Sequence, residues 1–373
     1  KKMKNEIRAA CDAVFDEMIA SIQKLCRIDS RRTEARPGAP YGSGCRECLL
    51  QAMNLAETLG FHTEVWQDQV GVAAIDGRRE YIGIAGHLDV VDLNGTWTYD
   101  PFQATIADGK IYARGILDNK GPMLACLYAT YALKTVHYSF PTNVRLLFGT
   151  NEETGMEDMK GYFRTHRPPL FGWTPDCKYP VVYAERGRAV FVFETKKEKA
   201  SSFYAFINDE ILNKPVLEES FHIAYSSPEF GKNQIRSVRL LEREDKLQVQ
   251  LIISYPADVT VEQMERQLHR HETKDIHVRL DTNLAPVYFD KENPFIKVLE
   301  RSYEDIMQED GGAVTTTGGT YAKVIPHIVP YGPSFKGQKG IGHMPDEWMN
   351  IADLKKNLYI YTWSLYNLLE ATR

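Results

Sequence analysis

Apolar residues recur at helical spacing through the opening segment, at Ile7, Val14, Phe15, Met18, Ile19, Ile22 and Leu25, and predict one amphipathic helix. A loop rich in proline and glycine (Pro37, Gly38, Pro40, Gly42, Gly44) leads to a second helix, roughly Cys45 to Leu59, with Gly60 as its stop. Short apolar runs of strand length follow at Thr63–Trp66, Val70–Ile75 and Tyr81–Ala85. A helix from about Gly121 to Val136, a strand at Val144–Phe148, a helix at Glu157–His166 and a strand at Val181–Ala184 continue the alternation. Strands alternating with helices predict a largely parallel α/β sheet. The pattern changes after about Gly187: strand-like runs at Ala189–Glu194 and Leu247–Ser254 accompany a polar helix at Thr260–His271. From about Tyr288 the α/β pattern returns, with helices at Pro294–Met307 and Asn350–Glu370. The expected architecture is an α/β domain with a mainly parallel sheet flanked by helices, interrupted by a smaller α+β module. Its segments are 1–188, 189–284 and 285–373.

Composition narrows the class of protein. Of 373 residues, 43% are apolar and 25% charged, which supports folded cores and excludes a disordered chain. Lys+Arg total 45 against 50 Asp+Glu, a net charge of −5 with no basic blocks, so nucleic acid and anionic membranes are poor partners. Six scattered cysteines make no disulfide scaffold and point to a reducing, cytoplasmic setting. The N-terminal segment is charged, with no continuous apolar stretch of the signal-peptide kind, and no run approaches the length of a transmembrane helix.

The candidate chemistry sits just after buried strands. Tyr81–Gly86 runs into His87-Leu-Asp89. Ile111-Tyr-Ala113 precedes Arg114-Gly-Ile-Leu-Asp118-Asn-Lys-Gly121, and Val144–Phe148 runs into Gly149-Thr-Asn-Glu152-Glu153-Thr-Gly155. In open α/β sheets the ligand crevice lies beyond the carboxyl ends of the strands, so these groups should converge. A histidine with several carboxylates and no cysteine suits a divalent ion such as Zn²⁺ or Mn²⁺. His87 and Asp89, two apart, share a strand face; one can ligate while the other orients it. The bland reading is a polar loop pair. Glu152 and Glu153 can diverge in a tight turn, or simply be a solvated acidic pair at a helix start. Asp118 either presents a ligand or caps the helix after it.

Together these stretches resemble the ArgE/DapE metallopeptidase family of co-catalytic aminoacylases, desuccinylases and dipeptidases. Phe171-Gly-Trp-Thr-Pro-Asp176, Tyr179–Gly187, Gly318-Gly-Thr-Tyr-Ala322 and His343-Met-Pro-Asp-Glu347 are similar to its PepV-like, carnosinase-like dipeptidase branch. The resemblance covers about 1–190 and 285–373. It implies a catalytic domain interrupted by a lid, acting on small peptides, with two divalent ions, Zn²⁺ first and Mn²⁺ second. It further implies that His87, Asp118 and Asp176 hold one ion, and that Asp118 bridges to a second held by Glu153 and His343. Glu152 matches the general base and Asp89 the carboxylate behind the first histidine. The branch leans towards a monomer.

The inserted module departs from the branch. A histidine that would donate to the oxyanion is expected soon after the module begins, where this chain reads Lys197-Glu-Lys-Ala200-Ser-Ser. An arginine expected to clamp the substrate carboxylate is replaced in Ser254-Tyr255-Pro256. The leading reading is a metal-dependent dipeptidase. An N-acyl-amino-acid amidohydrolase and a catalytically weak metal-binding protein are the alternatives. Cys45 and Cys48 are read as incidental helix positions, His222 as a surface or packing residue, and Gly318-Gly319 as allowing close backbone approach to the site.

Overall fold

The computed structural model describes all 373 residues, in two compact units. The larger unit comprises Lys1–Val182, Asp290–Val314 and Thr320–Arg373; the smaller comprises Tyr183–Phe289 and Thr315–Gly319.

The larger unit is built on a six-stranded sheet. Its spatial order is His62–Trp66, Val70–Ala74, Asn143–Gly149, Tyr81–His87, Phe171–Thr174 and Ile328–Pro330. The last four run parallel, and the first two join as an antiparallel edge. Buried on both faces, the central strands read as continuous apolar runs; every residue of Tyr81–His87 is buried. The helix Gly121–Thr135 is buried nearly all round and packs with Lys2–Cys26 and Ile351–Glu370, which explains its uniformly apolar sequence. The C-terminal helix contributes Tyr361, stacked on Trp173 at 5.7 Å between ring centroids.

Two sequence expectations need adjusting. Phe171–Thr174 and Ile328–Pro330 are sheet strands that the apolar pattern did not flag, because each is short and interrupted by glycine or proline. The run predicted as Val181–Ala184 forms Val182–Glu185, outside the six-stranded sheet, where Ala184 and Glu185 pair antiparallel with Val287–Tyr288.

The smaller unit is an antiparallel four-stranded sheet, in the order Gln234–Glu242, Lys246–Tyr255, Gly187–Lys196, His277–Leu284. Strand alternation sends Ala189, Phe191 and Phe193 to one face, where they pack with Phe203, Phe206, Phe221, Met264 and Leu268. The helix Val261–His269 starts in a capping box between Thr260 and Gln263.

Candidate metal centre

The parallel strands place the chemistry. His87 ends the strand Tyr81–His87, and its Cα is in register with Gly149 on the neighbouring strand. On the other side lies Phe171–Thr174, which leads directly to Asp176. The chain therefore crosses from one flank of the central strand to the other, making the topological switch point where ligands collect. Gly149 is required here: a Cβ would sit 1.9 Å from the Tyr321 hydroxyl and 2.5 Å from Asp158 Oδ2.

Asp118 is the pivot. Its Oδ1 lies 2.9 Å from His87 Nε2, and its Oδ2 lies 2.8 Å from His343 Nε2. His87 Nε2 also faces Asp176 Oδ2 at 3.3 Å and Glu152 Oε2 at 3.6 Å. His343 Nε2 faces Glu153 Oε1 at 2.8 Å. Potential ligand atoms thus fall into the groups His87/Asp118/Asp176 and Asp118/Glu153/His343, each within 4.8 Å. A further grouping of His87, Glu152 and Glu153 shows that Glu152 is in reach of the same space. Asp118 caps no helix through its side chain, and Glu152 is buried rather than solvated, so neither bland reading describes these residues.

Asp89 stands behind this cluster. The proton on His87 Nδ1 faces the Asp89 carbonyl oxygen at 2.9 Å and its Oδ1 at 3.3 Å, which leaves Nε2 turned to the cluster. The Asp89 carboxylate also accepts the backbone N–H groups of Glu152 (3.2 Å) and Glu153 (3.0 Å). One buried carboxylate therefore sets the histidine ring and the turn that carries both glutamates.

The electrostatics are those of a site short of positive charge. Burial pushes Asp176 up to about 8 and Glu153 up to about 6, with the charge of Asp118 adding to each. Glu152 is held well above the carboxylate range by burial, and Asp176, Glu153 and Asp118 add to the effect. Burial would also raise Asp118, but hydrogen bonds from His343 and His87 outweigh it and hold it low. Burial works against a charge on His87, yet Glu152, Asp176 and Asp118 prevail and raise it well above its ordinary value. Hydrogen bonds to Asp118 and Glu153 push His343 up to about 10. Carboxylates crowded together with two imidazoles, all oxygen and nitrogen donors, fit divalent cations of the Zn²⁺ or Mn²⁺ kind.

The sequence pattern of peptidase family M20/M25/M40 matches residues 83–367. The chain belongs to this family. It is accordingly a metallopeptidase, a hydrolase of peptide bonds. Among similar proteins is YtjP of Bacillus subtilis (strain 168), by name a candidate dipeptidase, 25% identical over 452 residues that span 95% of this chain and 97% of the relative. The Beta-Ala-Xaa dipeptidase of Lactobacillus delbrueckii subsp. lactis is 22% identical over 457 residues, spanning 96% and 97%. The structure of human carnosine dipeptidase 1 superposes with a TM-score of 0.73 at 16% identity, covering 99% of each chain. With 452 aligned positions against 373 residues here, at least 79 positions of YtjP face a gap.

Arg114, Asn119, Tyr321 and Glu347 lie inside the sequence motifs with no role assigned by the pattern, and Asp158 lies outside them. Asp158 is buried, and its carboxylate accepts the N–H groups of Thr150 (2.8 Å) and Asn151 (3.1 Å) and the Tyr321 hydroxyl (2.6 Å). It anchors the start of the turn that presents Glu152 and Glu153. Charged residues beside glycines at strand ends were the available signal. In the smaller unit, Ser254 Oγ accepts from Arg186 Nε at 2.8 Å, and no histidine lies in Lys197–Ser202. His222 is exposed, with Nδ1 at 3.0 Å from His271 Nε2. Cys45 and Cys48 are buried, and Cys45 donates to the Ser30 carbonyl.

Proposed function

We propose that this metallopeptidase is a dipeptidase that works through two divalent ions, with Glu152 as general base. The observation that carries the reading is Asp118, whose two carboxylate oxygens address two different histidines, each with its own further carboxylate. His87 and Asp176 would hold one ion, Glu153 and His343 the other, and Asp118 would bridge them. Zn²⁺ suits this donor set best, and Mn²⁺ is the second choice. Divalent ions held there would supply Lewis-acid polarisation of a scissile carbonyl and lower the pKa of a water.

The chain's own residues do the rest. Glu152, buried with Oε2 3.6 Å from His87 Nε2, is placed to take a proton at one Oε and return it to the leaving amine. Asp89 keeps the His87 proton on Nδ1 and fixes the backbone of Glu152. The larger unit would serve as the catalytic domain and the smaller unit as the lid. The names of the relatives support a small peptide as substrate.

A panel of dipeptides and N-acyl amino acids, assayed with added Zn²⁺ or Mn²⁺, tests this. Dipeptides should be turned over with the higher kcat/KM. A preference for N-acyl amino acids would make the protein an amidohydrolase, and no turnover of either would make it a metal-binding protein.

A further inference from the structure

The two ligand groups share Asp118, but the chain frames them separately. On the His87 side the frame is Asn119, which is fully buried. Its Oδ1 accepts the His87 backbone N–H at 3.2 Å, and its Nδ2 donates to the carbonyl of Pro175, the neighbour of Asp176, at 2.7 Å. One amide thereby clips two ligand-bearing loops together.

The His343 side has a charged frame. Glu347, 1% exposed and four residues beyond His343, directs Oε2 at the backbone N–H groups of Gly115 (2.9 Å), Leu117 (3.0 Å) and Asp118 (3.2 Å). Its Oε1 accepts from Arg114 Nη1 at 3.1 Å. Arg114 is equally buried and donates onward to the carbonyls of Met344 (3.1 Å) and Asp92 (3.2 Å) and to Asn94 Oδ1 (2.8 Å). Asn94 completes the circuit: its Nδ2 donates to the His343 carbonyl at 3.0 Å. Trp97 covers the guanidinium at 4.9 Å.

A buried ion pair is weak evidence for stability, because desolvation offsets much of the attraction; fixing a geometry is one use for which such a pair is kept. Here its hydrogen bonds end on the segment leading to Asp118, on the segment around His343, or on the Asp92–Asn94 loop that ties the two. We propose that Arg114, Glu347 and Asn94 form a clasp that positions the Asp118/Glu153/His343 group, while Asn119 positions the His87/Asp176 group, so that the two cation sites can be loosened independently. The proposal rests on the two-ion reading above. Loss of the clasp strikes the second site harder, because that site has both Asp118 and His343 on clasped segments. The first keeps His87 and Asp176 on the Asn119 frame.

The test is a Zn²⁺ titration of metal-stripped protein against a chromophoric chelator, resolving two dissociation constants, with thermal melts alongside. In the unsubstituted protein two bound ions are expected; a single ion would sink the two-ion reading itself, whatever the clasp does. Glu347→Gln and Asn94→Ala should weaken one ion by about 10–100-fold, the usual range for groups behind metal ligands, and the other, which shares only Asp118 with the clasp, by clearly less. Asn119→Ala should weaken the other ion. His343→Ala assigns the sites: in that background Asn94→Ala should have no effect on the remaining ion, and Asn119→Ala should still weaken it. Equal weakening of both ions, no weakening of either, or an Asn94→Ala effect that persists without His343 would overturn the clasp. Should Glu347→Gln lose its cooperative melt, Asn94→Ala carries the test, since Asn94 is exposed.

Discussion

Replacing Asp89 by asparagine changes one buried atom and should disturb the whole centre. The carboxylate is 1% exposed; Oδ1 accepts the Glu152 N–H and faces His87 Nδ1, and Oδ2 accepts the Glu153 N–H. An asparagine must turn its NH₂ towards one side or the other. Facing Glu153 is the cheaper choice, because only one donor is then opposed. That orientation loses one charge-assisted hydrogen bond, about 1.5–3 kcal/mol, and leaves the part-buried Glu153 N–H unpaired, at most about 1–3 kcal/mol. The combined cost is roughly 2.5–6 kcal/mol. In metal-free protein part of this is offset, because removing one negative charge relieves the crowding of Asp118, Glu152, Glu153 and Asp176. With cations bound there is no such relief. Asp89→Asn should therefore destabilise the loaded protein more than the stripped protein in urea unfolding, and metal affinity should fall by about 10–100-fold. A loss below about 1 kcal/mol in the loaded form, with unchanged affinity, would refute the reasoning that this carboxylate holds the glutamate turn.

Glu152→Gln should lower kcat by at least about 10²-fold, the range for general acid–base catalysis, while the metal count stays that of the parent. If it loses an ion and Glu153→Gln does not, the two roles are reversed. Without an arginine at Ser254, kcat/KM for a dipeptide and for its C-terminal amide should be of similar size. A hundredfold or greater preference for the free acid, of the order that loss of a buried charged partner produces, would show that another cation forms the clamp. Burial pushes the thiols of Cys11, Cys26 and Cys45 up to about 12 and also raises Cys48 and Cys126. Iodoacetamide at pH 8 should therefore label these five only after denaturation, because the thiolate is the reactive form. Labelling of any of them in the native protein, read by mass spectrometry, would contradict their burial.

How much the sequence disclosed follows from where the information lay. Long periodic segments such as Pro294–Met307 were legible because one helix face must be apolar, and the prediction matches the observed helix. Gly121–Thr135 was legible for the opposite reason, being apolar all round. Phe171–Thr174 was missed because a four-residue buried strand with a glycine carries little periodicity, although it delivers Asp176 to the centre. His87, Asp118, Glu152 and Glu153 each carry a plausible bland reading in isolation. Their order beside strand ends, and then the family resemblance, raised them above it. Asp176 and His343 were named through that resemblance. The second role of Asp89, and the clasp of Arg114 with Glu347, depend on backbone N–H groups brought close by folding, which no spacing of side chains records. No helix is long and apolar enough to cross a membrane, as the absence of long apolar runs indicated.

The cations are the core of the proposed chemistry, and their removal tests it most directly. Protein stripped by extended chelation, verified metal-free and assayed on a dipeptide, should show no turnover, and activity should return with added Zn²⁺ or Mn²⁺ as two ions load per chain. Full turnover by the verified metal-free protein would contradict the assignment of His87, Asp118, Asp176, Glu153 and His343 as the ligands of a working centre.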